Sequence, residues 1–557
     1  MQAQLPAWAH QSAWTVLDTA FHGAVHFLQA WKIWQNDPQR PHLLHYVAIA
    51  DAAELPDWFE LADNFYHDPQ LERLASQLAD RCMGIEAGFH RILLNEGQVS
   101  LTLCVGALKN TLDELRLQAD KVWIDVFNGL WDAWAVKALT RSCKRGTRVG
   151  MSDFEDGVFA HLHTVGFKPL RSDAGYEMLF DPDWEINTSR QVSHTYPRPF
   201  ARCAVVGAGL SGASVAQALA LRGWQVTVYD QHASPAQGAS GLPAGIVAPY
   251  VTADDSPSAR ISRIGTRLML QHAQRFLNQG EDWDGCGVQE HCFDGATRLK
   301  PLWHTHAGWL KPAKLIEAWL RQPGISFQGN AHITQLQQND GVWQLLGAQG
   351  ELQGCAEVVV LANAIGCQTL LPEAGLQSTL DALQSVQGLM SYGQRAEGMG
   401  DLTDWPHFPV NGHGSFIPRV PTATGLQWFA GATFTAEASV AGTRSLHATP
   451  QHQFNLARLQ MLLPTVGKDL QPMFENHAVK SWVGSRCVTA DRLPLVGAAT
   501  STVWTSVGMG ARGLSFSALC AELLAAQLCG EPLPLPISLA RSLDVRRQKH
   551  KSGTTLP

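Results

Sequence analysis

One segment constrains this chain more than any other: residues 203–230, CAVVGAGLSGASVAQALALRGWQVTVYD. A short apolar strand, 204–206, runs into Gly207-x-Gly209-x-x-Gly212. A helical run with Ala213, Ala216 and Ala220 follows, and a second strand, 225–229, ends at Asp230. Each residue type has a physical reason. Gly207 allows a tight turn, Gly209 lets the backbone approach a pyrophosphate, and Gly212 lets helix and strand pack closely. Ala208, Leu210 and Ser211 share the helix start, where free N–H groups and the positive dipole end attract phosphates. Asp230, with Gln231 beside it, is placed to accept hydrogen bonds from an adenosine ribose. A dinucleotide site is therefore predicted. Its acid favours a ribose with free hydroxyls, as in FAD or NAD.

Later segments select FAD. Gly238, Ser240, Gly241 and Gly245 form a loop after Asp230 that can pass beside a flavin. Near the C-terminus, VGMGARGLSFSALCAELLAAQL reads as a strand, a glycine turn (Gly508, Gly510, Gly513) and a helix. Backbone N–H groups at such a turn can stabilise negative charge on a reduced flavin ring. Residues 358–366, VVVLANAIG, read as a buried parallel strand ending at a glycine near the cofactor.

The stretch 181–200, polar and holding three prolines, reads as a seam. Before it, apolar runs alternate with helical patterns: WTVLDTAF then AVHFLQAWKIW, LLHYVAIAD then DPQLERLASQLADRC, DKVWIDVF then AWAVKALTRSC. Strand then helix, repeated, predicts a parallel sheet. The expected division is 1–190, a linker at 191–200, an FAD-binding unit at 201–540 and a basic tail at 541–557. Within 201–540 the FAD parts are expected at about 201–251, 306–375 and 481–540. An inserted antiparallel substrate domain takes about 252–305 and 376–480.

Composition limits the partners. Of 557 residues 45% are hydrophobic and 16% charged, with 49 Gly and 29 Pro, which suits a compact enzyme and excludes a disordered or coiled-coil chain. The net charge is −7, so contact with RNA must come from local patches. Two are available: Arg141, Lys144, Arg145 and Arg148, and the tail Arg541, Arg546, Arg547, Lys549 and Lys551. The bland reading of each is a solvated face or a terminus. The 11 cysteines include no CxxC pair, which points to reduced thiols and a cytoplasmic protein. No signal peptide or membrane span is read. Cys286, His291, Cys292, His304 and His306 lie near one another, but their spacings match no standard metal site, and none is expected.

The segments RGWQVTVYDQHASPAQGASG, AGWLKPAKLIEAWL, DRLPLVGA, GARGLSFSALCAELLAAQLCGEPLPLP and SLARSLDVRR carry a resemblance. The chain resembles the FAD-dependent amine oxidoreductases of the D-amino-acid oxidase and glycine oxidase superfamily. More closely, it is similar to the oxidoreductase half of the bifunctional tRNA 5-methylaminomethyl-2-thiouridine biosynthesis (MnmC) family. The resemblance implies an α/β fold: a Rossmann-like methyltransferase domain joined to an FAD-binding Rossmann domain with an inserted antiparallel α+β substrate domain. It implies tRNA as partner and oxidative removal of the carboxymethyl group from 5-carboxymethylaminomethyluridine. The substrate carboxylate calls for an arginine fork, and Arg512 and Arg486 stand in the segments expected to flank the flavin. Their structural alternative is a role in the fold through an acid such as Asp491. Lys311 reads first as a surface lysine opening a helix.

The family's methyltransferase half binds S-adenosylmethionine through a glycine loop. The matching stretch here is LDTAFHGAVHFLQAW, with Asp18 in the acidic position and Ala20, His22 and Ala24 where glycines are expected. Ala50, followed by Asp51, stands where a ribose-binding acid is expected, and of the Asp-Gly-Phe-Ala-Pro segment Asp125 and Phe127 survive. The resemblance thus implies a kept fold, lost methyl transfer and doubtful binding of S-adenosylmethionine. Two other functions stay open: a glycine- or sarcosine-type amine oxidase, and a non-catalytic tRNA-binding flavoprotein.

Overall fold

The structure, a computed structural model, describes residues 8–186 and 202–547, apart from 66, 127–128, 171–175, 295–296, 372–379, 381–382, 395–404, 432, 434 and 437–447. The expected linker, Phe127, Lys549 and Lys551 lie outside the described residues. The chain divides into two compact units: Met1–Tyr196 with Ala525–Arg541, and Pro197–Leu524 with Ser542–Pro557. The segment from Ala525, expected with the FAD part, thus falls in the first unit. There Arg91 Nη2 donates to the Pro532 carbonyl (2.6 Å) and Leu533 N to that of Arg116 (3.2 Å).

The first unit is an eight-stranded sheet. Its elements are β1 (Ala13–Asp18), α1 (Val25–Asn36), β2 (Leu43–Ala50), α2 (Pro69–Cys82), β3 (Gly88–Leu94), β4 (Val99–Val105), α3 (Leu108–Glu114), β5 (Ala119–Ile124), α4 (Ala133–Leu139), β6 (Cys143–Met151), α5 (Asp156–Thr164), β7 (Phe167–Leu170) and β8 (Glu177–Phe180). Strand order is β3-β4-β2-β1-β5-β6-β8-β7. The central pairs β4–β2, β2–β1, β1–β5 and β5–β6 are parallel. β2 is buried at every position, as a strand covered on both faces must be. α1 buries Phe27, Leu28, Trp31 and Trp34 along one stripe. α2 starts where Asp68 accepts from Gln70 N and Leu71 N ahead of Pro69.

The second unit begins with β9 (Arg202–Val206), α6 (Leu210–Leu221), β10 (Gln225–Tyr229), β11 (Gly245–Val247), α7 (Pro257–Phe276), β12 (Val288–Glu290), β13 (Leu302–His304), α8 (Pro312–Leu320), β14 (Ile325–Gln328) and β15 (Val358–Leu361). It continues with β16 (Gln384–Gln394), β17 (Val410–Gly412), β18 (Gly414–Thr422), β19 (Gly425–Gly431), α9 (Ala448–Leu462), α10 (Pro464–Glu475), β20 (Lys480–Val488), β21 (Leu495–Ala498), β22 (Val503–Val507) and α11 (Gly513–Cys529). One sheet runs β14-β10-β9-β15-β22-β21, parallel except for β21. Strand order reverses between β9 and β15, so the ligand crevice lies outside their carboxyl ends. α6 is rich in small residues and buried from Leu210 to Leu219. It is tied to α11 by a fully desolvated Arg222–Glu522 pair with two 3.1 Å contacts.

A second sheet runs β13-β12-β17-β18-β19-β16, with β20 on the other edge of β16. It departs from the expected antiparallel pattern in one pair: β12 and β17 are parallel. Two expected boundaries also shift. β20, expected among the FAD parts, is hydrogen-bonded to β16 along its length. α7, expected in the substrate domain, packs on α11 so closely that a Cβ at Gly265 would stand 1.8 Å from the Ser515 carbonyl oxygen. Among the described residues no helix is long and apolar enough to cross a membrane.

Candidate functional site

The crevice at β9 and β15 is built around glycines. Gly207 has φ +106°, and a Cβ there would lie 2.7 Å from the Ala362 carbonyl oxygen. From the helix side, a Cβ on Gly212 would lie 1.8 Å from the Gly207 carbonyl oxygen. Turn, strand and helix therefore meet backbone to backbone, as a nucleotide-binding βα turn requires. Gly209 caps α6 without a side chain, and a Cβ there would come within 3.0 Å of Ser240 Oγ. Leu210 N donates to that Ser240 hydroxyl (2.9 Å), and the first bond inside the helix is Ala213 N to Gly209 O (3.0 Å). The amides of Ser211 and Gly212 lie between them, too early in the helix to reach a helix carbonyl. They and the dipole end form an anion cradle.

Asp230 is largely buried at the end of β10. Its Oδ2 accepts from Ala208 N (2.7 Å), and its Oδ1 faces His232 N (2.9 Å) and Nδ1 (3.0 Å). Oδ2 keeps a lone pair suited to a ribose hydroxyl. Gln231 beside it is exposed. Opposite stands a residue the sequence reading missed. Asn363 follows β15, its Cα is 2.9 Å from where a Gly207 Cβ would be, and its Oδ1 is buried with no hydrogen-bond partner. A buried acceptor of that kind beside a phosphate-type turn is one that a bound ligand satisfies. Residues 358–366 meet the Gly207 turn through Ala362 and Asn363, and Gly366 lies in the following 3₁₀ turn. A polar residue just beyond a buried parallel strand was the available signal. Cradle, ribose acid and orphaned acceptor fit a flavin dinucleotide.

The remaining glycines line the path onward. The 231–241 loop folds back on the turn, with Ala236 N donating to the Ala208 carbonyl (3.1 Å). A Cβ on Gly241 would meet the Ala236 carbonyl oxygen at 2.6 Å. Gly238 precedes that short helical turn, and Gly245 opens β11 against Leu514 of α11. Gly508 (φ +76°) and Gly510 (φ +58°) bend the chain from β22 toward α11, which Gly513 begins.

β20 joins the two loops. Alternate residues of a strand share a face, so Trp482, Gly484, Arg486 and Val488 look the same way. Trp482 Nε1 is 3.9 Å from a Gly241 Cβ position, and Val488 Cγ1 is 3.7 Å from that of Gly510. Arg486 stands between these contacts. Its guanidinium crosses Gly388 of β16, where a Cβ would come within 2.6 Å of Nη1, and Nη1 is 3.5 Å from the Thr433 carbonyl. Arg512 follows Gly510, and its guanidinium carbon lies 3.8 Å from the Tyr250 ring centre. Burial lowers the basicity of both arginines. At Arg512 the hydrogen bond of Tyr250 and the charge of Glu290 oppose it, while Arg492 adds to it. Arginine stays charged at any working pH, so each is a partly desolvated cation on one side of the crevice. Tyr250 and Gly388 were not legible as site residues. Each is defined only by a partner far away in sequence.

Other candidates take structural places. Asp491 is held by Arg547 through Nε–Oδ2 (2.9 Å) and Nη2–Oδ1 (3.0 Å). That draws Arg547 out of the expected basic tail, and Arg546 Nη2 donates to the Ala499 carbonyl (3.2 Å). Arg141 pairs with Asp113 (2.7 Å), Lys144 with Asp120 (2.5 Å) and Arg145 with Asp181. The first basic patch is therefore largely neutralised by its own acids. Lys311 opens α8 as expected but is not a surface lysine: it is 17% exposed, with Nζ 3.9 Å from Asp282. His304 contacts Glu290 (2.7 Å) and His291 contacts Gln289 (3.0 Å).

Three comparisons with known proteins bear on this chain. The family model for FAD dependent oxidoreductases matches residues 202–303 and 291–527. A tRNA 5-methylaminomethyl-2-thiouridine biosynthesis bifunctional protein MnmC of Albidiferax ferrireducens is 43% identical, over 97% of this chain and 94% of the relative. Its namesake from Polaromonas naphthalenivorans is 40% identical, over 96% and 90%. Among solved structures, glycine oxidase from Geobacillus kaustophilus is 17% identical with a TM-score of 0.48, covering 62% of this chain and 99% of that one.

Proposed function

The chain belongs to the family of tRNA 5-methylaminomethyl-2-thiouridine biosynthesis bifunctional proteins, and from that premise we propose that it removes the carboxymethyl group of 5-carboxymethylaminomethyl-(2-thio)uridine at the tRNA wobble position. It is an FAD-dependent oxidoreductase acting on CH–NH groups. Bound FAD supplies the acceptor for the hydride lost from the carbon beside the carboxylate. Water splits the resulting substrate imine into 5-aminomethyluridine and glyoxylate, which balances the reaction. Ser211, Gly212, Asp230 and Asn363 would hold the dinucleotide. Arg486 and Arg512 orient the substrate carboxylate, and Tyr250 steadies Arg512 from behind. An ion-paired carboxylate would hold the substrate in one orientation, and that positioning is the main contribution of the protein.

The observation that carries this reading is the shared face of β20, which sets Arg486 between the Gly241 and Gly510 turns. A tRNA substrate supports a cytoplasmic location. The test mixes the yellow holoprotein anaerobically with carboxymethylaminomethyl-tRNA, and separately with sarcosine or glycine. Rapid bleaching by the tRNA alone supports the proposal. Bleaching by the small amines alone replaces it with an amine oxidase, and bleaching by neither indicates a non-catalytic flavoprotein.

A further inference from the structure

The first unit has a crevice of its own. Strand order reverses at β1, so a ligand site is expected outside the carboxyl ends of β1 and β5. The names of the relatives include a methyl group, and this fold in that family implies S-adenosylmethionine. The residues present do not fit that cofactor. The loop after β1 lies back across the strand ends. Thr19 donates to the Trp123 carbonyl through N (3.1 Å) and Oγ1 (2.8 Å), and Phe21 N donates to that of Ile49 (3.1 Å). His22 Nε2 then reaches Asp125 Oδ2 at 2.9 Å, joining the loops after β1 and β5 over the crevice.

Two acids there, Asp125 and Asp18, are engaged from within. Asp125 Oδ1 accepts from Ser152 Oγ (3.0 Å). Buried Asp18 accepts from Tyr46 Oη (2.6 Å) and Ala20 N (3.1 Å), with His26 Nδ1 at 3.7 Å. The His26 ring lies stacked on Trp123, 5.6 Å between centres and 19° between planes. At the end of β2, where a ribose would need an acceptor, Ala50 presents a buried methyl, and Asp51 accepts from Ala53 N (3.1 Å). Ala24, at the start of α1, holds φ +61° with a Cβ in place. A cofactor bound through close backbone approach needs glycine at such points.

We infer that this crevice is closed from within by the His22–Asp125 bridge, that the chain transfers no methyl group, and that its end product is the primary amine. The last clause rests on the function proposed above. The first two do not. A separate N-methyltransferase reaction must therefore consume that amine wherever the methylated base is made.

The test uses the full-length holoprotein in two arms. In the first, equilibrium dialysis with labelled S-adenosylmethionine compares it with the Albidiferax ferrireducens relative. Retention about a hundredfold weaker or less is expected, from the loss of several hydrogen bonds to ligand. Stoichiometric retention at the relative's affinity overturns the inference, whatever the oxidase does. In the second arm, carboxymethylaminomethyl-tRNA is added with S-adenosylmethionine and the nucleosides are weighed by mass spectrometry. Aminomethyluridine alone is expected, and methylaminomethyluridine overturns the inference. Unchanged tRNA overturns the proposed function and the product clause, while dialysis still decides whether the crevice is closed.

Discussion

Gly388 tests whether Arg486 orients the substrate without touching the arginine itself. In Gly388→Ala the new Cβ would sit 2.6 Å from Arg486 Nη1 and 2.6 Å from the Thr433 carbonyl oxygen, against an ordinary contact of 3.4 Å or more. Thr433 cannot yield cheaply: its N donates to Leu389 O (3.2 Å) and its Oγ1 accepts from Leu389 N (3.0 Å). The guanidinium must give way by roughly 0.8 Å, enough to carry a 2.9 Å bond past the limit of hydrogen bonding. A charge-assisted hydrogen bond contributes about 1.5–3 kcal/mol, so kcat/KM should fall about 10- to 150-fold. Flavin content should not change, because Gly388 lies on β16, away from the dinucleotide turn. The assay is stopped-flow flavin reduction with carboxymethylaminomethyl-tRNA and with an analogue whose amine carries no carboxylate. The loss should appear with the first substrate and be absent with the second. Equal losses with both, or none with either at full flavin content, would refute the role given to Arg486.

Three further outcomes are expected. Glu522→Gln leaves Arg222 charged and desolvated between α6 and α11, and should cost about 3–5 kcal/mol, read as a lower Tm and faster flavin loss on dilution. At Asp491 burial raises the carboxyl pKa, but the hydrogen bonds and charge of Arg547 prevail and hold it below the usual carboxylate range. Its stabilising contribution is therefore complete above the unfolded carboxylate pKa of about 3.9 and lost as pH falls through the lower folded value. Arg547→Met should lower Tm near neutrality and flatten that acid limb in a pH series of thermal melts. Ala24→Gly removes a left-handed alanine and should stabilise the first unit by about 1 kcal/mol, measured by urea unfolding. An unchanged midpoint would show that Ala24 is not strained.

How much of this was legible in the sequence depends on the range of the interaction. Gly207, Gly209, Gly212 and Asp230 report a local event, one turn between a strand and a helix, and their spacing suffices to place them. The strands of the first unit were legible for the same reason: β2 is apolar at nearly every position and α1 repeats its apolar stripe on helical spacing. What could not be read was pairing at a distance. β20 looks like a continuation of the FAD part, yet its register with β16, Val386 opposite Arg486, puts it in the other sheet. That register is also what brings Gly388 under the guanidinium. Charge follows the same rule. Arg547 looks like part of a basic tail until Asp491, far upstream, is seen to hold it, and the Arg141–Arg148 cluster looks cationic until Asp113, Asp120 and Asp181 arrive from three other segments.

The two crevices apply one rule with opposite outcomes. Both lie where an open parallel sheet reverses its strand order, and both are entered by a loop leaving the first strand. In the second unit that loop keeps hydrogen atoms where backbones meet: a Cβ at Gly207 or Gly212 would fall 2.7 Å and 1.8 Å from carbonyl oxygens. Its helix start retains unpaired amides. In the first unit the loop carries Ala20 and Ala24, both buried, and His22, whose exposed ring bridges to Asp125 across the strand ends. Burial of Ala20 and the Asp18–Tyr46 hydrogen bond stabilise the closed arrangement itself. A crevice of this kind that stops binding its ligand exposes polar strand ends and acids to water or leaves them unsatisfied. Replacing ligand contacts by internal ones removes that cost and lets the domain persist as a folded body. The His22–Asp125 bridge thus supplies from within what a ligand would otherwise supply, in a unit that keeps its sheet and core.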